Sequence, residues 1–427
     1  MPSVFLFILA TLFLSLNFVR FFGLAISDWL YFGAMGLTLA ETFSLERHHM
    51  PCWWRNRFLW PVSLVLFGAV VSTMNSRNAG FALVEIFQQL FVITLFVSLV
   101  WIMVRRGKTT PILLAFILSG VFTAGVALVD YWSGSRYGVT LSGMRNVFII
   151  ERYFGALGHP NKQGYFLVLT TLLSLGQLLA QKPIRMAFIS HLIWYVLIAI
   201  QLFGIYLSGS LTAYLGLFLG VIVFALSSKY MFFKAARIVG VAIGAGAFLV
   251  LFNLLFNLTI FGRMPNLKDT SLVKAFNRVQ TITAQTRLDG YDQAWVKIIQ
   301  NPWLGVGYDQ ISTSGASVEE RLLDKSVHNL LLQIWYTGGV FAFLGWLSIY
   351  VSIGWMALTT ISRWKKYGFS PMLLALAAVA AAFLLMDQFQ DAIYQREKWL
   401  VIGLLAGFSW EKVDNIIRQV IPDRTNR

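Results

Sequence analysis

The chain has 427 residues, of which 57% are hydrophobic and only 12% are charged, and its 34 Lys and Arg against 19 Asp and Glu give a net charge of +15. Soluble domains carry roughly 25% charged residues, so this chain has too few polar side chains to cover a surface in water. The composition predicts an integral membrane protein and excludes soluble enzymes, nucleic-acid-binding proteins and secreted disulfide-rich scaffolds.

Apolar runs that can cross a bilayer recur along the whole chain, since a spanning helix needs about 20 predominantly apolar residues. The first run lacks preceding basic residues and is too long for the apolar part of a signal peptide, so we expect a span there. The sequence predicts an all-α fold of about 12 transmembrane helices in a single polytopic domain over residues 1–427. The runs are Val4–Leu24, Trp29–Leu45, Phe58–Met74, Phe81–Val104, Pro111–Val129, Gly164–Ala180, Ala187–Leu207, Leu211–Ser227, Ile238–Leu258, Leu330–Leu358, Met372–Met386 and Trp399–Phe408.

Basic residues predict the orientation of these spans. If both termini are cytoplasmic, every cytoplasmic segment after the short N-terminus holds at least two Lys or Arg, including the tail 409–427. The short exterior turns then hold only Arg77, Arg396 and Lys398. Cytoplasmic loops are enriched in Lys and Arg, so this arrangement is the expected one.

Two exterior segments, 130–163 and 259–327, are far longer than a helix connection needs, and such loops are usually functional or disordered. Within the second, Arg287–Gln300 is predicted to be an amphipathic helix. Its predicted apolar face consists of Leu288, Tyr291, Trp295, Ile298 and Ile299. A helix of this kind beside a bilayer is expected to lie in the interface or to cap a cavity.

The first exterior segment is rich in basic residues, namely Arg136, Arg145, Arg152 and Lys162. Arginine binds phosphate oxygens in a bidentate way, so these residues indicate a pocket for an anionic lipid head group such as a lipid-linked diphosphate. Contact with bulk anionic lipid, or an ion pair between Glu151 and Arg152, is the alternative.

His328 is the best candidate for a general base among the five histidines. Ser326 is a plausible N-cap, which would put His328 in the first helical turn, where the helix dipole favours a neutral imidazole. Asn329 is a candidate for orienting the ring or a hydroxyl substrate. The alternative for His328 is an interfacial histidine that satisfies one hydrogen bond, and His159 is predicted either to shape a turn before Pro160 or to contact substrate.

Acidic residues do not indicate a metal site, because no Asp-x-Asp pattern occurs, and Cys52 is the only cysteine. Asp387 and Asp391 are one helical turn apart. We expect them to cap a helix or to form an ion pair, and the alternative is that they lie beside the cavity. The chain has no P-loop and no other cofactor motif, so we expect no metal and no cofactor. The energy for any reaction must then come from an activated substrate within the membrane.

Three segments together resemble the O-antigen ligase and polymerase superfamily of bacterial envelope enzymes. Glu151–Asn161 is similar to its Arg-x-x-Gly…Pro-Asn signature, and Arg287, Trp295 and Asn301–Gly307 are similar to its Arg…Trp…Pro-x-x-Gly-x-Gly stretch. The segment from His328 to Gly339 is similar to its His-Asn-x-x-Leu-Gln…Gly signature. Ser210 departs from the pattern, because Leu211 follows it where many members have arginine.

The resemblance implies a metal-independent glycosyltransferase with a C-type membrane fold in the bacterial inner membrane. Such an enzyme transfers a glycan from undecaprenyl diphosphate to an acceptor hydroxyl on the periplasmic face. Arg152 and Arg287 would hold the diphosphate, His328 would accept the proton of the hydroxyl, and direct displacement would invert the anomeric centre. Arg136, Arg145, His159, Asn161 and Asn329 are further candidates for substrate contact.

Ligation of the glycan to lipid A–core oligosaccharide is the favoured reaction. Polymerisation on a second lipid-linked repeat and transfer to protein Ser or Thr are alternatives that use the same donor. A polytopic transporter is the alternative from another class, but polar residues concentrate at one face of the predicted spans rather than at the bilayer midplane.

Overall fold

The computed structural model describes residues 1–16, 20–21, 24–45, 59–133, 153, 155–180, 188–227, 283–308, 327–367, 371–390 and 393–410. Within these ranges the protein is helical apart from one antiparallel pair of two-residue strands, β1 (Arg20–Phe21) and β2 (Leu24–Ala25). The helices are α1 (Pro2–Leu12), α2 (Ile26–Leu45), α3 (Leu59–Ser72), α4 (Ala79–Leu90), α5 (Val97–Arg105), α6 (Thr109–Ser133), α7 (Pro160–Ala180), α8 (Phe188–Ser208), α9 (Leu211–Ser227), α10 (Thr283–Gln300), α11 (Leu330–Tyr367), α12 (Pro371–Met386) and α13 (Arg396–Trp410).

Six of these helical segments are long and apolar enough to cross a membrane, and they confirm a multi-pass helical membrane protein. They include the continuous segment Ala79–Arg105, in which a π-helical turn (Phe91–Phe96) joins α4 to α5. Three shorter apolar helices, at Pro2–Leu12, Trp60–Asn75 and Leu211–Leu226, coincide with further predicted spans. The predicted span Ile238–Leu258 lies outside the described residues, and the total of 12 stays a prediction.

The predicted first span, Val4–Leu24, is wrong in extent. Helix α1 ends at Leu12, where the amide of Phe13 closes the last turn on Leu9 at 3.0 Å, and the strand pair follows at Arg20. Hydropathy did not reveal this end, because the residues on both sides of it are apolar. The predicted segment 130–163 overlaps the last turn of α6 and the first turn of α7.

Helices α7 and α12 form the centre of the bundle. Nearly every residue from Gln163 to Ser174 in α7 is buried, and so is most of α12. Small residues allow close helix packing, as at Gly176, where an added Cβ would lie 2.4 Å from Cβ of Ala375. Without a hydrophobic driving force in lipid, such close packing is a main source of helix association.

A buried ion pair joins α12 to α13. The ammonium of Lys398 donates to Asp387 at 3.0 Å, and both side chains are almost completely inaccessible. The hydroxyls of Tyr165 and Tyr350 donate to the two oxygens of the same carboxylate. The favoured sequence reading of Asp387, an ion pair rather than a cavity residue, is therefore confirmed. The sequence placed Lys398 in a short exterior turn, but its side chain is buried.

Polar contacts also join the helix ends at each end of the bundle. At one end, Arg106 forms an ion pair with Glu41 at 2.7 Å, and Glu41 accepts from the hydroxyl of Ser3. At the other end, Arg396 forms an ion pair with Asp28. These contacts bring the start of α1 to the C-terminal ends of α2 and α5, and the start of α2 to the start of α13. Of these helices, α1 and α2 are consecutive in the chain, and they are antiparallel.

Breaking the buried pair tests its role in stability. We expect Lys398→Met to lower the free energy of unfolding by about 3 kcal/mol or more, because it leaves the Asp387 carboxylate buried without its counter-charge. The double variant Asp387→Asn/Lys398→Met removes both charges and should recover much of that loss. Thermal unfolding of the detergent-solubilised protein measures both, and Arg105→Met at an exposed position is the control. Equal losses for the single and double variants would contradict the assignment.

Candidate functional site

The turn after α10 is bound directly to α11. The amides of Val306 and Gly307 donate to the carbonyls of Tyr336 and Thr337 at 2.9 and 3.2 Å. The amide of Val340 donates to the carbonyl of Pro302 at 3.0 Å. We call these three backbone hydrogen bonds the clasp. The clasp joins two of the three sequence segments that carry the family resemblance.

Glycine is required on both sides of the clasp. Helix α11 is interrupted at Gly339, whose φ of 70° and ψ of −172° are not helical, and Gly305 also has a φ of 70°. A Cβ at Gly339 would lie 2.0 Å from the carbonyl oxygen of Trp303, and one at Gly305 would lie 2.4 Å from that of Thr337. The break in α11 frees the carbonyls that the turn uses, and only glycine permits the close approach.

Side chains from neighbouring helices fix the turn in place. The Asn75 amide donates to the carbonyl of Gly305 at 2.8 Å, and the amide of Tyr308 donates to the Ser76 hydroxyl at 3.1 Å. The buried phenol of Tyr308 donates to Gln89, and burial raises the pKa of Tyr308 well above its ordinary value. The turn is thus attached to α11 and to the region between α3 and α4.

His328 lies outside the helix in which it was predicted. The helix begins at Leu330, and Asn329 is its N-cap, because the side-chain oxygen of Asn329 accepts from the amide of Leu332 at 3.0 Å. The prediction that His328 occupies the first turn is therefore wrong, and Ser326 lies outside the described residues. His328 has a φ of 47°, a left-handed conformation that is uncommon outside glycine but enriched for histidine and asparagine.

Helix α10 packs against the start of α11 with only part of the predicted apolar face. Ala294 and Ile298 are buried with Val327 and Tyr336, and Tyr291 packs against this cluster. Trp295 and Ile299, which were predicted on this face, are exposed. The prediction is therefore correct for Tyr291 and Ile298, whereas Trp295 and Ile299 lie on a neighbouring apolar side that the prediction did not separate from them. Whether the helix lies in the interface or caps a cavity stays a prediction.

Arg287 belongs to the first turns of α10, and its side chain lies outside what the structure describes. Its position is four residues before Tyr291 and seven before Ala294, a spacing that places all three on one helical face. That face packs on Val327, the residue before His328. The structure therefore brings the helix that bears Arg287 to the segment that bears His328.

The first family segment shapes the start of α7. The amide of Tyr153 donates to the carbonyl of Leu207 at the end of α8, at 3.2 Å. The Nδ1 atom of His159 accepts from the amide of Asn161 at 3.1 Å, so His159 is the N-cap of α7 and shapes the turn before Pro160, one of its two predicted roles. Arg136, Arg145 and Arg152 lie outside the described residues, and substrate contact by His159 and Asn161 stays a prediction.

Sequence reasoning missed the polar residues that hold this end together from within the apolar runs. Glu85 accepts from the phenol of Tyr394, and burial raises the pKa of Tyr394 with a further contribution from the charge of Glu85. Thr123, also within a predicted span, is buried and hydrogen-bonded at 2.9 Å to Gln163, the last residue of the predicted exterior segment 130–163. The available signal was the occurrence of Glu85 and Gln89 inside a predicted span, since ionisable residues are rare there.

Within the described parts of the chain, no group of three or more His, Cys, Asp or Glu residues is arranged to hold a metal ion. Asp391, the partner of Asp387 in the sequence pattern, lies outside those parts. Whether the protein works without a metal therefore stays a prediction.

The fold and the site define a multi-pass helical membrane protein with a clasped turn at one end of its bundle. Residues 196–347 match the family model described as O-antigen ligase, which confirms the resemblance to the O-antigen ligase superfamily. The match covers the second part of α8, all of α9 and α10, and the start of α11, and so includes Arg287, the clasp and His328. It indicates a function of the O-antigen ligase or polymerase type on lipid-linked glycans. A search of curated proteins found no significant match.

Alanine substitutions test the clasp. We expect Gly305→Ala and Gly339→Ala to lower the unfolding temperature strongly, because each combines a positive φ with a backbone clash. Gly107→Ala is the matched control for conformation, since Gly107 has a φ of 69° but open space around it. It should cost about 1 kcal/mol. Gly354→Ala in α11, which has open space and no positive φ, should have little effect. If Gly305→Ala lowers the unfolding temperature no more than Gly107→Ala does, the close backbone contact at Gly305 is contradicted.

Proposed function

We propose that this protein is an O-antigen ligase, a glycosyltransferase of the bacterial inner membrane that works on the periplasmic face. The donor is a glycan on undecaprenyl diphosphate, and the acceptor is a sugar hydroxyl of lipid A–core oligosaccharide. Both termini are cytoplasmic in this proposal, as is the tail 409–427. The two long segments 130–163 and 259–327 enclose a periplasmic cavity that is open sideways to two lipid substrates.

The observation that carries the proposal is the packing of α10 on Val327. This contact joins the helix of Arg287 to the segment of His328 within the part of the chain that matches the family model. Transfer from a lipid diphosphate needs a cationic group at the leaving phosphate and a base at the attacking hydroxyl. These two residues supply both, and the clasp holds their elements in one arrangement.

In the proposed mechanism, Arg152 and Arg287 bind the diphosphate and stabilise the negative charge that grows as the sugar–phosphate bond breaks. The acceptor oxygen attacks the anomeric carbon from the opposite face while His328 takes its proton, so the product is inverted. No metal or cofactor takes part. Arg136 and Arg145 are secondary contacts for the diphosphate or for core phosphates.

His159, Asn161 and Asn329 are proposed to contact the substrates with atoms that the caps do not use. The cap bond of Asn329 engages its oxygen, which leaves the amide nitrogen to donate to a sugar hydroxyl. The cap bond of His159 engages Nδ1 as an acceptor, so the proton of the ring is on Nε2.

The polymerase is the second candidate, because the family match does not distinguish a core sugar from a second lipid-linked repeat as acceptor. Two further alternatives are a protein oligosaccharyltransferase, which would use the same donor site, and a transporter. A transporter would need no general base, so it would leave His328 without a catalytic role.

Transfer by the purified protein in proteoliposomes tests the proposal. With lipid-linked O-antigen, core lipopolysaccharide and EDTA, we expect glycan to appear on lipopolysaccharide. Longer lipid-linked chains without attachment would make the protein a polymerase. Activity only after magnesium is added would contradict the metal-independent mechanism, and glycan movement across vesicles without acceptor would favour the transporter.

Two neighbouring substitutions separate base catalysis from folding. His328→Asn should abolish transfer while the protein stays folded, because asparagine also adopts the left-handed conformation. Asn329→Ser keeps an N-cap and should lower transfer without lowering the unfolding temperature, whereas Asn329→Ala should cost about 1 kcal/mol of stability. The measurements are transfer in proteoliposomes and thermal unfolding. Near-normal transfer by His328→Asn would exclude His328 as the base.

A further inference from the structure

Helix α10 has a second apolar face that the packing on α11 does not use. Trp295 and Ile299 are 50% and 64% exposed on it, Val296 flanks them, and Trp303 in the turn that follows is 66% exposed. Ala294 and Ile298 form the buried face on the other side of the same helix. We call Trp295, Val296, Ile299 and Trp303 the outer patch.

The outer patch is continuous with an exposed apolar surface of α11. The ring of Trp295 lies edge-on to that of Trp335, with centroids 5.9 Å apart, and Trp335 stacks on Phe343 at 4.6 Å. From there an exposed apolar stripe follows α11 at helical spacing. It consists of Leu344, Leu347, Val351, Trp355 and Leu358. Because α11 is one of the candidate membrane spans, we expect this stripe to face acyl chains.

Polar residues border the outer patch. Gln293 and Gln300 are exposed on its flanks, and Asp292 lies one turn before Val296. Lys297 turns back to α11, where its ammonium lies 5.0 Å from the centre of the Tyr336 ring. An apolar strip between polar flanks, with tryptophans at both ends, is the composition of a helix that lies in a membrane interface.

We propose that α10 lies along the membrane surface, with the outer patch inserted in the lipid leaflet and its opposite face on α11. The occupant of the outer patch is the bilayer lipid itself. Trp295 and Trp303 occupy the interfacial region, and Ile299 between them reaches the upper acyl chains. Asp292 keeps the first half of the helix at the depth of the head groups.

This arrangement gives α10 a fixed height relative to the membrane. One face of the helix is held by Val327 and the other by lipid, so its rotation is set from both sides. The position of α10 at the membrane surface does not depend on glycosyl transfer. Its test and the transfer assay can therefore fail separately.

Lipid-borne quenchers test the proposal directly, and Cys52, the only cysteine, is first replaced by serine. Single cysteines are then placed at Ile299 and, as a second probe, at Trp303. Gln293→Cys is the matched control on the polar flank of α10, and Val351→Cys is the lipid-facing reference on α11. Each variant is labelled with bimane in detergent, checked by size-exclusion chromatography, and reconstituted in phosphatidylcholine vesicles with and without brominated acyl chains.

We expect brominated lipid to remove most of the bimane fluorescence at positions 299 and 351, a substantial part at 303, and little at 293. Aqueous iodide should show the reverse order. Iodide quenching at 299 equal to that at 293 would show that the outer patch faces water and would overturn the proposal. Protection of 299 and 303 from both quenchers would show that protein covers the outer patch, which would overturn it as well.

Discussion

The clasp between the turn after α10 and the break in α11 is the interaction on which the candidate site depends. Neither segment can form all of its backbone hydrogen bonds by itself. The break at Gly339 frees carbonyls of α11, and the Pro302–Gly307 turn presents amides that no helix uses. In an apolar environment each unpaired backbone group would cost several kcal/mol. The two segments therefore form together, and their joining sets the distance between α10 and the segment of His328.

Buried polar pairs attach this clasped unit to the rest of the bundle. Asn75 holds Gly305, Tyr308 reaches Gln89, and Glu85 accepts from Tyr394 in the turn between α12 and α13. That turn leads directly to the Asp387–Lys398 pair, which Tyr165 joins to α7. Since these polar groups find their partners inside protein, each contact is specific in geometry as well as favourable. The result is a rigid platform at one end of the bundle, which suits a site whose charges must be placed before reaction.

The apolar runs predicted most helices well because burial and lipid contact demand the same composition, as in Leu211–Ser227. They failed where an end is set by hydrogen bonds rather than by polarity, as after Leu12. The N-cap of α11 was predicted at Ser326 and is at Asn329, because Ser and Asn have similar preferences for this position. The left-handed backbone of His328 keeps that residue out of the helix, and the sequence did not show this conformation. The pairing of Lys398, which was counted only as a residue of a short exterior turn, was not predicted because its partner Asp387, 11 residues earlier, is brought near by the turn between two helices.

Two of the proposed substrate-binding residues, His159 and Asn329, prove to be N-caps, and this supports an anionic substrate in a way that the sequence did not show. The N-terminus of a helix carries partial positive charge and amides that favour anions. Helix α7 begins beside Asp387 and Lys398, and α11 begins beside α10, so both N-termini belong to the same end of the bundle. In the proposed function, these two dipoles add to the charge of Arg152 and Arg287. A diphosphate leaving group would then be stabilised by backbone and side chains together, and on this ground the proposed reaction is expected to need no metal.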